Sequence, residues 1–387
     1  MKKTLTRMDN QLLVITLAFF VFGLIMILSA SSMESYMRYG YSPYYYFIRQ
    51  AIFLGVGLFI SFITINIPSK VFRKFSLLLI LVIMFILGGL QVFGYLAKGS
   101  KSWIQLGPVN IQPSEFAKIF IVMFLANYYD KNKEKLNNTW SLIKPLIPCI
   151  IMVILVMLQP DLGTAGIITL ITILLFYAVP LRSNYRKNIN MLLVSGIILL
   201  SLVFVITKGS FLKGYQLNRF NFLDPCERYQ EESGYQLCNS FIAFTNGGTT
   251  GQGLGKSTQK YLYLPESYTD FIFPIIVEEL GLVVGIIIIM LYLYILYRIY
   301  RIARRSTNLY NSMIAYGIGV YIFLHIAINL IGVMGIGPLT GVPLPFLSYG
   351  GSYTISLMFG LSLVQRSAIE TNTEIVKKKK KIKKRVE

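Results

Sequence analysis

Several carboxylate and amine side chains lie within or at the ends of long apolar segments, where an ionisable group is energetically expensive and therefore suggests function. Glu115 and Lys118 begin one such segment, and as i,i+3 neighbours they can pair on one helix face. Asp270 opens another segment, and Glu266 lies just before it. Carboxylates in such positions can take up protons, and amines can offset negative charge. These four residues are therefore candidates for a functional site.

Each of these residues also has a structural explanation that the sequence leaves open. Glu115 can complement the positive end of its helix dipole, and Asp270 can cap a helix. Asp161, which follows a proline, can form a turn. The single histidine, His325, lies inside an apolar segment, where we expect a hydrogen-bonded packing role. No cluster of His, Cys and Asp has the spacing of a zinc site.

The predicted topology nevertheless brings six ionisable residues from distant parts of the chain to one membrane face. They lie at or just inside the outer leaflet, and they are Arg49, Glu115, Lys118, Asp161, Glu266 and Asp270. This convergence predicts an outward-facing site. Glu278 and Glu279 lie about 12–13 Å deeper along the helix that begins at Asp270. They can line a cavity or hold the helices together, and we assign Glu278 to substrate binding.

The elements that position these residues are apolar helices. The chain has 387 residues, of which 55% are hydrophobic and 14% charged, whereas a soluble domain carries about 25% charged residues. A transmembrane helix needs roughly 20 mostly apolar residues. We predict an all-α, polytopic integral membrane protein with about ten transmembrane helices. The predicted spans are 12–30, 48–66, 72–93, 114–129, 145–159, 163–180, 189–207, 270–297, 311–334 and 348–366.

The distribution of basic residues predicts the orientation. The termini and the alternate loops assigned to the inside hold 26 of the 37 Lys and Arg residues, and orientation follows this bias. We therefore predict a multi-pass protein of the cytoplasmic membrane with both termini cytoplasmic and a large external loop, 208–269, between the seventh and eighth spans. The predicted domains are one transmembrane domain, 1–366, and a basic cytoplasmic tail, 367–387.

The net charge of +20 does not indicate nucleic-acid binding, because the basic residues lie in short loops and in the terminal block. The tail can also contact anionic lipid headgroups. In the external loop, the glycines from Gly247 to Gly255 predict turns rather than a phosphate-binding loop, because the full Walker pattern, Gly-x-x-x-x-Gly-Lys-Ser/Thr, does not fit: Thr250 stands where its first glycine would be. Cys226 and Cys238 share this loop and can be a disulfide or two free thiols.

Six sequence motifs together resemble the SEDS family of cell-wall proteins, which includes FtsW, RodA and SpoVE. The motifs occur in the family's order, and they are Gly99-Ser-Lys-Ser-Trp-Ile104, Ile111-Gln-Pro-Ser-Glu-Phe-Ala-Lys118, Gln159-Pro-Asp-Leu-Gly-Thr164, Tyr263-Leu-Pro-Glu-Ser-Tyr-Thr-Asp-Phe-Ile-Phe273, Glu278-Glu-Leu-Gly281 and Pro343-Leu-Pro-Phe-Leu-Ser-Tyr-Gly-Gly351. They cover the chain from the second span to the tenth.

The resemblance implies an inverting peptidoglycan glycosyltransferase that polymerises lipid II, a disaccharide-pentapeptide on undecaprenyl pyrophosphate, at the outer face of the membrane. The family's catalytic aspartate falls on Asp270, and family residues of the fourth span fall on Glu115 and Lys118. Lys118, Arg49 or a divalent cation (Mg²⁺ or Mn²⁺, with Asp270 as a ligand) can offset the pyrophosphate charge. We also assign Asp161 and Glu266 to substrate binding.

The resemblance further implies a class B penicillin-binding protein, a transpeptidase, as partner, together with other proteins of cell division or elongation. A lipid II flippase is the alternative function, and a scaffold that only recruits the transpeptidase ranks last. The segment Gln259–Pro265 favours the FtsW or SpoVE type, whereas Gly341–Pro345 suits RodA equally. In one departure from the family pattern, Tyr268 stands where a histidine is usual.

Overall fold

The computed structural model describes residues 6–97, 100–107, 109–136, 138–180 and 222–386 of the chain. Within them the chain forms eleven α-helices and one 3-10 turn at Lys133–Lys135. The helices are α1 Asn10–Tyr39, α2 Tyr45–Asn66, α3 Ser69–Phe93, α4 Pro113–Lys131, α5 Thr139–Ile143, α6 Leu146–Met157, α7 Leu162–Ala178, α8 Glu232–Gly247, α9 Ile272–Arg305, α10 Leu309–Val333 and α11 Gly351–Val386.

Nine of the ten predicted spans fall on these helices, and the predicted seventh span, 189–207, lies outside the described residues. Six helical segments are long and apolar enough to cross a membrane: α1, α2, α3, the segment Thr139–Met157, α9 and α10. This finding confirms the polytopic membrane protein. The outward face of α3 carries exposed Leu77, Leu81 and Phe85, as expected of a helix that contacts lipid.

Helix lengths differ from the prediction where a helix extends beyond the apolar run that it contains. Helix α1 continues to Tyr39, capped there by Gly40 in a left-handed conformation. Helix α11 crosses the predicted tail boundary at residue 366 without a break, and Ala368 and Thr371 are buried. These extensions follow from contacts with other helices, which hydropathy alone does not register.

One short sheet adds to the otherwise helical fold. Strands β1 Tyr95–Ala97, β2 Ser100–Leu106 and β3 Val109–Ile111 form an antiparallel sheet in the order β1-β2-β3 between α3 and α4. These strands were not predicted from the sequence. Pro113 then begins α4, a position where proline is tolerated because the first N–H groups of a helix have no helical partner.

Helix α4 and helix α10 lie inside the bundle, and α4 carries an ion pair that a lipid-facing helix would not tolerate. Most side chains of α4 are buried, from Glu115 and Lys118 to Tyr129. Helix α10 packs against α4, α7, α9 and α11. Because protein surrounds these helices, polar side chains within them can find partners.

Helix α9 is interrupted at Gly281, where φ is +87°. Such a break deprives two carbonyl groups before it and two N–H groups after it of their helical partners. The glycine-rich loop after α8 supplies them, and the four bonds are Gln252 N–H to Glu278 O (3.0 Å), Gly253 N–H to Glu279 O (2.8 Å), Leu282 N–H to Gly248 O (3.0 Å) and Val283 N–H to Thr249 O (3.3 Å). The glycines therefore serve close backbone contact as well as turns.

We expect Gly281→Ala to lower the unfolding free energy by about 3 kcal/mol or more, since the left-handed region is strained for alanine. A Cβ at this position would also overlap the carbonyl oxygen of Thr249. Thermal unfolding of the detergent-solubilised protein measures the effect. Gly88→Ala in α3 is the matched control, because no atom lies within 4 Å of its added Cβ. A Gly281→Ala variant as stable as Gly88→Ala would show that the interruption is not required.

Candidate active site

A cavity of about 450 Å³ opens at one end of the bundle, between the loop before α9, the C-terminal part of α10 and the start of α8. Asp270 and Glu266 line it together with Arg38, from the end of α1, and Glu232, from α8. This side of the molecule is called the Asp270 end below. The cavity therefore brings together charged groups from three distant segments of the chain.

The segment that carries Asp270 is held by hydrogen bonds to three consecutive backbone carbonyl groups. The Tyr349 N–H donates to Tyr268 O (2.9 Å), Ser348 Oγ donates to Thr269 O (2.6 Å), and Asn329 Nδ2 donates to Asp270 O (2.7 Å). Because each carbonyl has its own donor, the backbone at Asp270 is held from α10 and from the 340–350 segment. The carboxyl group is thereby positioned on a rigid support.

Two further contacts bring the 340–350 segment against Asp270. Asn329 Nδ2 donates also to Val342 O (2.8 Å), so that one side chain joins the two segments. Gly341 has φ of +68°, and a Cβ there would come within 3.2 Å of Asp270 Oδ2. Glycine at this position therefore leaves room beside the carboxyl group.

The remaining charges of the cavity lie around Glu266 and Arg38. Thr269 Oγ1 donates to Glu266 Oε2 (2.6 Å), and Glu266 itself has a positive φ of 57°. Arg38 Nη1 donates to Glu34 Oε1 (3.2 Å), a buried acid one turn earlier in α1. Sequence reasoning missed Arg38 and Glu34, because the predicted first span ended at residue 30.

Glu115 and Lys118 form the predicted pair, but they do so in the bundle interior. Lys118 Nζ lies 2.9 Å from Glu115 Oε1 and 3.0 Å from His325 Nε2. Only 1% of the Lys118 side chain and 5% of the Glu115 side chain are exposed. His325 is also buried and packs on Tyr321 and Tyr353. The expected hydrogen-bonded packing role of His325 is confirmed, and its partner is Lys118.

This buried cluster contacts the segment that faces Asp270. His325 Nδ1 lies 3.3 Å from Pro343 O, next to Val342, whose carbonyl accepts from Asn329. A path of hydrogen bonds and adjacent residues thus joins Lys118 to the backbone around Asp270. The cluster supports the site although it does not line the cavity.

Glu278 and Glu279 lie with the glycine-rich loop rather than at the cavity. Glu278 is fully buried and accepts bonds from Asn246 Nδ2 (3.0 Å), Thr258 Oγ1 (2.8 Å) and Ser257. Glu279 pairs with Lys260 (2.8 Å). The sequence left two roles open for these acids. Their contacts correspond to the role of holding parts of the structure together. Substrate binding by Glu278 stays a prediction.

Arg49 and Asp161 are not among the residues that line the cavity. Arg49 donates to Tyr45 Oη (2.7 Å) and lies over the ring of that residue. Asp161 caps α7 by accepting from Thr164 N–H (3.0 Å), and it accepts from Gln112 Nε2 (3.1 Å). Of the six ionisable residues expected to converge, only Glu266 and Asp270 line the cavity. Substrate binding by Arg49 and Asp161 stays a prediction.

Tyr268, which stands where the family pattern has histidine, belongs to an aromatic cluster. Its ring lies 4.5 Å from that of Tyr46 and 5.8 Å from that of Tyr349. Burial raises the pKa of Tyr268, so its hydroxyl stays protonated at neutral pH. Tyr268 thus supports the backbone beside Asp270 and does not supply a titrating group.

A disulfide joins Cys226 to Cys238, which resolves the alternative that the sequence left open. Cys238 is in α8, whose first turns line the cavity through Glu232 and Gln236. Among the described residues, no group of three or more His, Cys, Asp or Glu side chains is arranged to hold a metal ion. Three carboxyl side chains nevertheless line the cavity, and a cation ligand role for Asp270 stays a prediction.

The fold and the site define a class of protein: a polytopic membrane protein with an acid-lined cavity at one end and a buried Lys-Glu-His cluster behind it. The family model described as "Cell cycle protein", which covers FtsW, RodA and SpoVE, matches residues 10–373. The chain belongs to this family.

Named relatives and a solved structure agree with this assignment. The chain is 36% identical to a probable peptidoglycan glycosyltransferase FtsW of Coxiella burnetii, over 94% of this chain and 96% of that one. It is 35% identical to the corresponding protein of Bacillus subtilis, over 98% and 95%. A solved structure described as "Structural coordination of polymerization and crosslinking by a peptidoglycan synthase complex" has the same fold, with a TM-score of 0.75, 24% identity and 94% and 98% coverage.

Proposed function

We infer that the protein is a peptidoglycan glycosyltransferase that polymerises lipid II into glycan strands and acts in cell division. The observation that carries this inference is Asp270 on a rigid backbone in a cavity at the end of a membrane-spanning bundle. Sequence similarity to FtsW proteins over nearly the full chain supports it. A lipid-linked substrate accounts for a reactive group at a bundle end, because its sugars and its lipid lie on the two sides of the membrane surface.

The proposed reaction is one displacement. The acceptor sugar hydroxyl attacks the anomeric carbon of the donor sugar, the bond from that carbon to the pyrophosphate breaks, and Asp270 takes the hydroxyl proton. The α-linked donor thus gives a β-linked product. The backbone supports from Asn329, Ser348 and Tyr349 hold Asp270 in one position, which favours proton transfer by limiting misalignment.

Positive charge is needed where the pyrophosphate departs. Among the residues that line the cavity, Arg38 is the cation, and its pairing with Glu34 orients the guanidinium group. We therefore propose Arg38 as a pyrophosphate contact. Arg49 and Lys118 stay sequence-based candidates, although neither lines the cavity and Lys118 is buried against Glu115. A divalent cation, Mg²⁺ or Mn²⁺, bound by Asp270 can supply such charge as well.

The partner that we propose is a class B penicillin-binding protein that cross-links the new glycan. The similar solved structure is that of a synthase complex in which polymerization and crosslinking are coordinated, and this similarity supports the pairing. Exposed apolar side chains on α9 such as Leu282, Ile286 and Met290 provide surface for lipid or for a partner's transmembrane helix.

The experiment that tests the function uses the purified full chain and labelled lipid II, with and without the cognate penicillin-binding protein. Glycan polymer in either case supports the proposed enzyme. Transfer of lipid II between leaflets without polymer supports the flippase alternative. Absence of both activities with the partner present supports a scaffold and contradicts the proposal.

We propose that both termini are cytoplasmic and that the Asp270 end is external, in accord with the distribution of Lys and Arg. Single cysteines at exposed Lys256 and Lys377 test this orientation in a chain without native cysteines. A membrane-impermeant maleimide should label Lys256→Cys on intact cells and Lys377→Cys only after permeabilisation. The reverse labelling pattern would place the cavity on the cytoplasmic side and contradict the proposed site of action.

A further inference from the structure

A second cavity, of about 220 Å³, lies at the opposite end of the bundle. It is enclosed by the start of α1, the C-terminal part of α9 and the α11 extension beyond residue 366. Along α9 it lies roughly 40 Å from Asp270, at 1.5 Å per residue. It is therefore separate from the candidate active site, and the proposed function does not use it. We call it the arginine cavity.

The arginine cavity has excess positive charge. Arg298, Arg301 and Arg305 line it from α9, and Asp9 is the one acidic residue that lines it. Asp9 Oδ2 is paired with Arg298 Nη2 at 2.6 Å. Within the described part of the chain, Arg301 and Arg305 have no hydrogen bond or ion pair to another residue. Two positive charges thus face the cavity without a protein counter-charge.

The walls of the arginine cavity are joined to one another before any ligand binds. Asp9 N–H donates to Gln365 Oε1 (2.9 Å), and Gln365 Nε2 donates back to Asp9 O (3.0 Å). Asp9 Oδ1 accepts from the Leu12 N–H (2.9 Å) and caps α1. Since α1, α9 and α11 are tied together at Asp9, a ligand would meet a preorganised site.

A buried hydroxyl group in the wall has no partner. Thr371 is 3% exposed, lines the arginine cavity, and its Oγ1 makes no hydrogen bond among the described residues. The two nearest hydroxyls of α11 bond to the carbonyl four residues earlier, Ser367 to Leu363 (3.0 Å) and Thr373 to Ile369 (2.6 Å). A buried polar group without a hydrogen-bond partner lowers the stability of a protein. We therefore expect a ligand or a water molecule to bond to the Thr371 hydroxyl.

We propose that the arginine cavity binds a phosphate-bearing anion. Guanidinium groups are planar and recognise phosphate oxygens through paired hydrogen bonds, and basic pockets between helices at the membrane surface bind lipid headgroups. The volume equals roughly seven water molecules at about 30 Å³ each, enough for one phosphate group and its neighbouring atoms. An anionic phospholipid headgroup and a soluble phosphate compound share this chemistry.

Two general effects also favour arginine at the C-terminal end of α9. One is the excess of Lys and Arg on the cytoplasmic side of membrane proteins, and the other is the negative end of the helix dipole. Those effects apply equally to Arg304, which is exposed, as Arg305 is, but does not line the arginine cavity. They do not explain the buried hydroxyl of Thr371 that lacks a partner among the described residues. Arg304 is therefore the matched control for the two arginines that face the cavity.

The test measures ligand-dependent thermal stability of the full chain in a neutral detergent at constant ionic strength. Short-chain phosphatidylglycerol and inorganic phosphate are titrated separately, and the rise in Tm yields an apparent Kd. We expect a saturable rise with at least one of them. A rise with phosphatidylglycerol alone identifies a lipid headgroup site, and a rise with phosphate identifies a site for soluble phosphate. No rise with either ligand would overturn the proposal.

Variants locate the binding. Replacing Arg301 and Arg305 together by glutamine should weaken the apparent affinity at least about tenfold, as expected when charge-assisted hydrogen bonds are lost. Arg304→Gln should change it by less than about twofold, as surface charges outside a site usually do. Equal losses in the double variant and in Arg304→Gln would indicate general surface charge and contradict a built site.

Thr371→Val provides an independent readout, because valine is similar in shape and needs no hydrogen bond. Without ligand, its Tm should equal or exceed that of the parent protein, since a buried hydroxyl lacking a partner is removed. With ligand, its affinity should fall about three- to tenfold, as expected for the loss of one hydrogen bond. Unchanged affinity would show that the hydroxyl does not contact the anion and would overturn the proposed contact set.

Discussion

Asp270→Asn should lower the rate of glycan polymerisation by about 10²- to 10⁴-fold, the usual contribution of a positioned general base. Asparagine is nearly isosteric with aspartate, and the bond from Asn329 goes to the backbone carbonyl of residue 270, so the support of the segment should persist. What is lost is the carboxylate that takes the acceptor proton. Product length and yield from labelled lipid II, with the partner present, measure the effect.

Two controls separate a base from other roles of Asp270. Glu232→Gln removes another carboxylate from the same cavity wall and should change the rate by no more than a few-fold, because the family's catalytic aspartate matches Asp270 and not Glu232. Raising Mg²⁺ or Mn²⁺ tests whether Asp270 acts chiefly as a cation ligand, since excess metal would then restore part of the activity. Near-normal polymerisation by a folded Asp270→Asn protein would remove this residue from the mechanism.

Lys118→Met should destabilise the protein by about 3–5 kcal/mol, because it leaves the Glu115 carboxylate buried without its partner. Glu115→Gln should have a similar effect by leaving a buried ammonium group. The double variant, which removes both charges, should recover most of the loss. Thermal unfolding of the four proteins forms a double-mutant cycle, and a coupling energy near zero would contradict a structural ion pair.

The partly exposed pair Arg228–Glu231 provides the comparison, because it has the same i,i+3 spacing and a 3.0 Å separation but far more contact with solvent than the Glu115–Lys118 pair. Glu231→Gln should cost less than about 1 kcal/mol, as is typical of surface pairs. If the double variant at 115 and 118 folds well but does not polymerise lipid II, the pair also serves the reaction through His325 and the Pro343 carbonyl. Normal polymerisation by the double variant would limit the pair to stability.

The local pattern of the sequence determined the membrane class and most of the helices. Apolar runs near the length of a bilayer crossing are recognisable without tertiary information, and nine of the ten expected spans fall on described helices. The i,i+3 spacing of Glu115 and Lys118 likewise predicted their ion pair. Six ordered motifs identified the family, and its matched aspartate, Asp270, lies in a cavity.

Only the tertiary structure decided which of these polar groups meet. Arg38 lines the same cavity as Asp270 because α1 extends beyond its apolar run. Lys118 contacts His325, 207 positions away, because α4 and α10 pack together. Arg49 and Asp161 were expected at the same site from membrane depth alone, yet neither lines the cavity. Hydropathy and charge fix depth and direction, since they act on each segment separately. The neighbours of a helix depend on side-chain packing between distant segments, and so the shape of the cavity is a property of the folded chain.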